Sequence, residues 1–159
     1  MSYFVKLLTL VLLMLTFTGQ VFAKQAPDFA LSTASGQVIS LSDYQGKPLV
    51  IHFWATWCPY CKKLQPGLDK LYLQYKKQGL EMLAISFQED EGASPQALLL
   101  ERGMHFTTVI DGDEVATQYQ VKGTPTTIFI DKSGEIRWVS NNSDPNNPKL
   151  EQAILAILQ

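Results

Sequence analysis

Leu49-Val50-Ile51-His52-Phe53-Trp54 is a nearly unbroken apolar and aromatic run, the pattern of a central strand covered on both faces. Just beyond it, Leu64, Leu68, Leu71 and Tyr75 recur at spacings of three or four, which predicts a helix over Lys62 to Gln78 that Gly79 ends. Pro66 falls inside this helix, where it deletes a backbone hydrogen bond and predicts a kink. Upstream, Ala26 to Leu31 and Gly36 to Leu41 read as short extended pieces joined by a polar turn, and Ser42 to Pro48 as a loop or one helical turn. Downstream, Leu80 to Phe87 and Thr107 to Ile110 read as strands. Between them, Ser94 to Arg102 reads as a helix with Ser94 as cap and Pro95 at its first position. Asp113 to Tyr119 suggests a short helix, Thr126 to Ile130 and Glu135 to Val139 a hairpin about Asp131-Lys132-Ser133-Gly134, and Lys149 to Leu158 a closing amphipathic helix after a polar Asn/Pro loop. Strands alternating with helices, then a hairpin and a helix, predict an α/β sandwich on a mixed sheet. Such sheets place their sites at the carboxyl ends of central strands.

The first residues follow another pattern. Met1 to Phe22 carries one cation, Lys6, then the apolar run Leu7 to Leu15, and ends Val21-Phe22-Ala23 before Lys24, the layout of a secretory signal peptide. Residues 1–23 are therefore expected to be cleaved after Ala23, leaving 24–159 as one domain. An uncleaved anchor is the rival, although the run is shorter than the roughly 20 residues of a usual membrane span. The cleavage region has no cysteine, which argues against a lipid-modified N-terminus. The expected location is the periplasm or another exported compartment.

Composition narrows the picture further. The 159 residues carry a formal charge of −2, one unit more negative once Lys6 is removed, and nothing in that balance suggests nucleic acid. A hydrophobic content of 46% suits a core that needs no extra staples. The two cysteines, Cys58 and Cys61, are the only ones in the chain, and they stand one helical turn apart just after the central strand. As a staple the pair would close almost no loop. As a zinc site it lacks further ligands, since His52 and His105 lie far apart in sequence. A lone CxxC in an exported chain favours dithiol/disulfide chemistry.

The chain resembles the thioredoxin superfamily, and within it the secreted TlpA/ResA-like thiol:disulfide oxidoreductases. The resemblance is carried by Ala26-Pro27-Asp28-Phe29, Leu41-Ser42-Asp43, Gly46-Lys47-Pro48, Phe53-Trp54-Ala55-Thr56-Trp57-Cys58, Gly123-Thr124-Pro125-Thr126-Thr127 and Asp131-Lys132-Ser133-Gly134. It implies a thioredoxin-like three-layer sandwich, a central mixed β-sheet flanked by helices, with an N-terminal extension and a helical insertion around Glu89 to Arg102. It also implies an enzyme without bound cofactor or metal, acting on protein disulfides and dithiols. A membrane-embedded electron donor of the DsbD/CcdA type and a monomeric state are the expected setting.

On that reading Cys58, at a helix N-terminus, is favoured as thiolate and attacks, while Cys61, one turn inside, resolves the mixed disulfide. Pro59 and Tyr60 between them tune the pair, and Trp57 is expected to touch the partner while Trp54 packs the core. Tyr60 is either a substrate contact or a plain exposed aromatic. Thr124-Pro125 resembles the family's cis-proline loop, whose missing N–H leaves neighbouring backbone free for an extended substrate. Where many thioredoxins hold a buried Asp beneath the second cysteine, this chain has His52. Either it is a neutral buried base or a core histidine tied to a backbone carbonyl, the structural reading being favoured. Glu89 matches a glutamate that ResA-like proteins carry near the sulfurs, and could exchange protons with Cys61, although Glu89-Asp90-Glu91 also reads as a solvated charge run.

Disulfide reduction is the expected direction, with a setting in cytochrome c maturation implied by the resemblance. A disulfide oxidant or isomerase is the alternative. A thiol peroxidase is disfavoured because Ala55 and Ile51 stand where peroxiredoxins carry Thr and Pro. A CxxC metal carrier or chaperone is the non-enzymatic reading.

Overall fold

The computed structural model describes residues 24–159, so the expected signal segment at 1–23 lies outside the described residues. In chain order the elements are β1 (Lys24–Gln25), β2 (Ala30–Ser32), β3 (Val38–Ser40), β4 (Leu49–Trp54), α1 (Pro59–Tyr75), β5 (Glu81–Ser86), α2 (Pro95–Glu101), β6 (Thr107–Val109), α3 (Asp113–Gln118), β7 (Thr126–Ile130), β8 (Glu135–Ser140) and α4 (Pro148–Leu158). Six strands form one mixed sheet in the order β1-β8-β7-β4-β5-β6, and β2 pairs with β3 in a separate hairpin. β4, β5 and β6 run parallel, while β7 lies antiparallel to β4 on its other side.

All six residues of β4 are buried, which is why the strand reads as a run rather than an alternation. Its odd-numbered side chains, Leu49, Ile51 and Phe53, enter a layer with Phe29, Leu83, Ile85, Val109, Val115, Tyr119, Ile128 and Ile130. Val50 and Trp54 enter the opposite layer with Cys58, Cys61, Leu64, Leu68, Leu99, Phe129, Leu150 and Ile154. Thus α1, α2 and α4 cover one face, and α3 with the β2–β3 hairpin covers the other. Each large apolar side chain so buried stabilises the fold by roughly 1.5–3 kcal/mol.

Three expectations shift in detail. The long helix starts at Pro59 rather than Lys62, because Cys58 caps it and proline suits the first helical position, whose N–H has no intrahelical partner. It continues through Pro66 and passes at Tyr75 into a 3₁₀ turn, Lys76–Gln78, which Gly79 closes at φ 95°. That left-handed conformation favours glycine. Only Ala30–Ser32 of the first extended piece pairs as a strand, and the two-residue β1 edges the main sheet instead. Among the described residues no helix is long and apolar enough to cross a membrane.

Candidate active site

β4 delivers the chain to Ala55-Thr56-Trp57 and then to Cys58, the N-cap of α1. Cys58 and Cys61 are joined as a disulfide with Cα atoms 5.3 Å apart. The Cys58 sulfur accepts from the Cys61 backbone N–H at 3.1 Å. A free N–H of the first turn and the positive end of the helix dipole therefore converge on that sulfur, and both favour a thiolate there. Both sulfurs are nearly sealed from solvent, Cys58 being only 2% exposed and Cys61 not at all. Exposure comes from the flanking residues instead, with Trp57 49% and Tyr60 62% exposed and Pro59 also open to solvent.

Glu89 is not the solvated loop residue that its charged neighbours suggest. Its carboxylate accepts from the Thr56 backbone N–H at 2.9 and 3.0 Å, from the Thr56 hydroxyl at 2.5 Å and from the Ser86 hydroxyl at 2.5 Å. Thr56 is two residues before Cys58, so the carboxylate holds the segment that presents the sulfur. Trp57 closes the same junction by donating its indole N–H to the Gln88 carbonyl at 2.7 Å. Gln88 sits at φ 54°, and its N–H donates to the Asp113 carboxylate at 3.2 Å. Thr56, Ser86, Gln88 and Asp113 were missed in the sequence, since no local motif links positions this far apart.

Thr124–Pro125 is a cis peptide, as the resemblance implies. Thr126 pairs with Phe53, which places Pro125 level with the carboxyl end of β4 where the cysteines begin. Pro125 is buried and Thr124 half-buried. Asn141, another residue the sequence did not single out, donates its side-chain amide to the Thr126 hydroxyl at 2.6 Å and to the Pro125 carbonyl at 3.5 Å.

His52 is fully buried on β4. Burial pushes its pKa down from 6.5 to about 3, so the ring is neutral near pH 7. It is not tied to a backbone carbonyl. Nδ1 lies 3.4 Å from the Thr127 hydroxyl, and Nε2 has no partner among the described residues. Further along α1, buried Gln65 accepts at 2.7 Å from Arg102, which follows α2 and stands 5.8 Å over the Trp54 ring, and buried Asp69 accepts from His105. Among the described residues no group of three or more His, Cys, Asp or Glu is placed to hold a metal ion.

Comparison with known proteins gives concordant matches. The AhpC/TSA family pattern matches residues 22–139. The thiol-disulfide oxidoreductase ResA of Geobacillus kaustophilus is 40% identical over 123 residues, covering 77% of this chain and 70% of that protein. Its counterpart in Geobacillus thermodenitrificans is 38% identical over 76% and 69%. A putative thiol:disulfide interchange protein DsbE from Chlorobium tepidum superposes with TM-score 0.78 at 32% identity, over 86% of this chain and 97% of that one. A secreted Mycobacterium tuberculosis disulfide oxidoreductase homologous to DsbE superposes with TM-score 0.69 at 25% identity, over 80% and 95%.

Proposed function

The chain belongs to the thioredoxin-like AhpC/TSA family and is a ResA-like thiol-disulfide oxidoreductase, and from that premise we propose that it reduces selected protein disulfides in an exported compartment. Cys58 attacks the partner disulfide and Cys61 resolves the resulting mixed disulfide. The observation that carries this order is the capping geometry: the Cys58 sulfur receives the Cys61 N–H at the helix terminus, whereas Cys61 is sealed behind it. The partner's extended segment lies across Trp57, Pro59 and Tyr60 and against the Thr124-Pro125 loop. Glu89 orients Thr56 and the approach to Cys58, and stands ready to exchange a proton with Cys61.

The reducing direction is what the resemblance to the TlpA/ResA-like group implies, and export draws support from the secretory layout of residues 1–23 and likeness to a secreted DsbE homologue. A DsbD/CcdA-type membrane donor would return electrons to the pair, and cytochrome c maturation is the proposed setting. Equilibration with glutathione tests the direction. A reductant gives a potential nearer to about −270 mV than to about −120 mV, the level of the strongest oxidants of this fold. Trapping tests the roles: Cys61→Ser accumulates a mixed disulfide through Cys58 and Cys58→Ser accumulates none, and the opposite result reverses them.

A further inference from the structure

His52 holds a buried polar atom that the resting disulfide leaves unused. Its side chain alternates with Leu49, Ile51 and Phe53 and so points with Val50 and Trp54 into the layer beneath α1. Its lateral neighbours in the sheet are Ala84 and Thr127. Cys61, in the first turn of α1, is wholly buried in that same layer with Val50, Trp54 and Ala84. We propose that His52 is a positioning residue that tunes the redox equilibrium: when the disulfide opens, the Cys61 thiol hydrogen-bonds to His52 Nε2, which favours the dithiol over the disulfide.

The disulfide offers no proton to a lone pair. A partner dithiol changes that: its thiolate attacks Cys58 and the Cys58–Cys61 S–S bond breaks. Cys61 leaves with the electron pair and takes up one proton. The partner's second thiol then displaces Cys58, so two electrons and two protons pass to the pair and the partner ends as a disulfide. The new Cys61 S–H is a buried donor formed in the layer that contains an unpaired buried acceptor. An unsatisfied buried group is destabilising, so whichever redox state satisfies it gains. Gln65 Nε2, also unpartnered among the described residues, cannot take the thiol proton, because an amide NH₂ donates and does not accept. With Nδ1–H donated to Thr127, Nε2 accepts from the thiol. With the other tautomer, Nε2–H donates to a Cys61 thiolate, and the sign is unchanged. Burial keeps the ring neutral, so it acts as a hydrogen-bond partner rather than as a charge.

The inference rests on the pair cycling between disulfide and dithiol, which the wild-type titration against glutathione reports by itself. An inert wild-type pair would remove the exchange reading and this inference together. In the same titration, His52→Leu is expected to shift the equilibrium about tenfold toward the disulfide, a potential about 30 mV more negative. Its unfolding midpoint should accordingly change by different amounts in the two redox states. A ring that only fills space would change both states alike and leave the equilibrium within about twofold of wild type, an outcome that overturns the proposal. Should His52→Leu not yield folded protein, Thr127→Val decides, because it releases the ring from its Nδ1 anchor while leaving the layer filled. A shift of about threefold in the same direction supports the proposal, and none overturns it.

Discussion

The two faces of the central sheet are built from the same strands and hold different kinds of interior. On the face covered by α3 and the β2–β3 hairpin, Leu49, Ile51, Phe53, Leu83, Ile85, Val109, Ile128 and Ile130 meet aromatic rings of Phe29, Phe87 and Tyr119. On the face beneath α1, the buried set includes His52, Gln65, Asp69, Ser86, Thr108 and Thr127 beside the two cysteines. Polar groups in a low-dielectric layer must be partnered, and each partly satisfied one lowers stability. Both the dry face and the polar face stabilise the fold, since the polar one also buries Trp54, Leu64, Leu68, Leu99, Phe129 and Leu150. The polar face gives up some of that stability in exchange for groups able to respond when the sulfurs gain or lose protons.

The largest effect expected separates the faces by activity. Cys58→Ser should bring disulfide exchange to background while leaving the fold intact, because a bridge closing so short a loop adds little stability. Exchange with glutathione and a denaturant titration on the same sample check both halves. Residual turnover above background would move the reaction away from this pair. Next is the converse change on the dry face. Phe53→Ala removes a side chain with no exposed surface and should destabilise the protein by about 3–5 kcal/mol. Its reduction potential should stay within a few millivolts of wild type, by the same glutathione titration. A large shift in potential would mean that the two layers are not independent.

Acid sharpens the comparison further. His52 has its pKa lowered to about 3 against 6.5 when unfolded, so between those values the unfolded chain binds a proton that the native state refuses. The stability tied to the neutral ring is full above pH 6.5 and is lost as the pH falls toward 3, by about 1.4 kcal/mol per unit. From pH 7 to pH 5 the oxidised wild-type protein should lose about 2 kcal/mol more than oxidised His52→Leu, as read from urea unfolding. Equal losses would mean that water or a partner reaches the ring.

How much of this was legible in the chain follows from the range over which each signal acts. β4 and β7 announce themselves because consecutive residues are apolar and buried, and the core of α1 because its apolar residues recur at spacings of three or four. The start of α1 is hidden by Pro59, which reads as a breaker but fits a first turn. β1 is two residues long, too short to show any period. The cysteines and the cis-proline loop are local motifs and were readable. The links Glu89–Thr56, Trp57–Gln88 and Asn141–Thr126 span 33, 31 and 15 positions, and only the fold brings them together. His52 was readable as buried, but its free Nε2 depends on what surrounds it in three dimensions.

Glu89 lies at the rim between the reactive layer and solvent, and the smallest effect is expected there. Its two carboxylate oxygens receive the Thr56 N–H, the Thr56 hydroxyl and the Ser86 hydroxyl. In Glu89→Gln one oxygen becomes an NH₂ donor facing those donors, so at least one of them loses its acceptor and stability should fall by about 1 kcal/mol. Removal of the negative charge near the helix terminus also favours the Cys58 thiolate, so its titration should move down by a few tenths of a pH unit. Thiolate absorbance against pH, together with the exchange rate, measures this. An unchanged titration with an unchanged rate would reduce Glu89 to a clamp on Thr56, with no electrostatic hold on the sulfur. A titration that moves upward would instead mean that the loosened Thr56–Trp57 segment has drawn Cys58 away from the Cys61 N–H, so that the loss of the cap outweighs the loss of the charge.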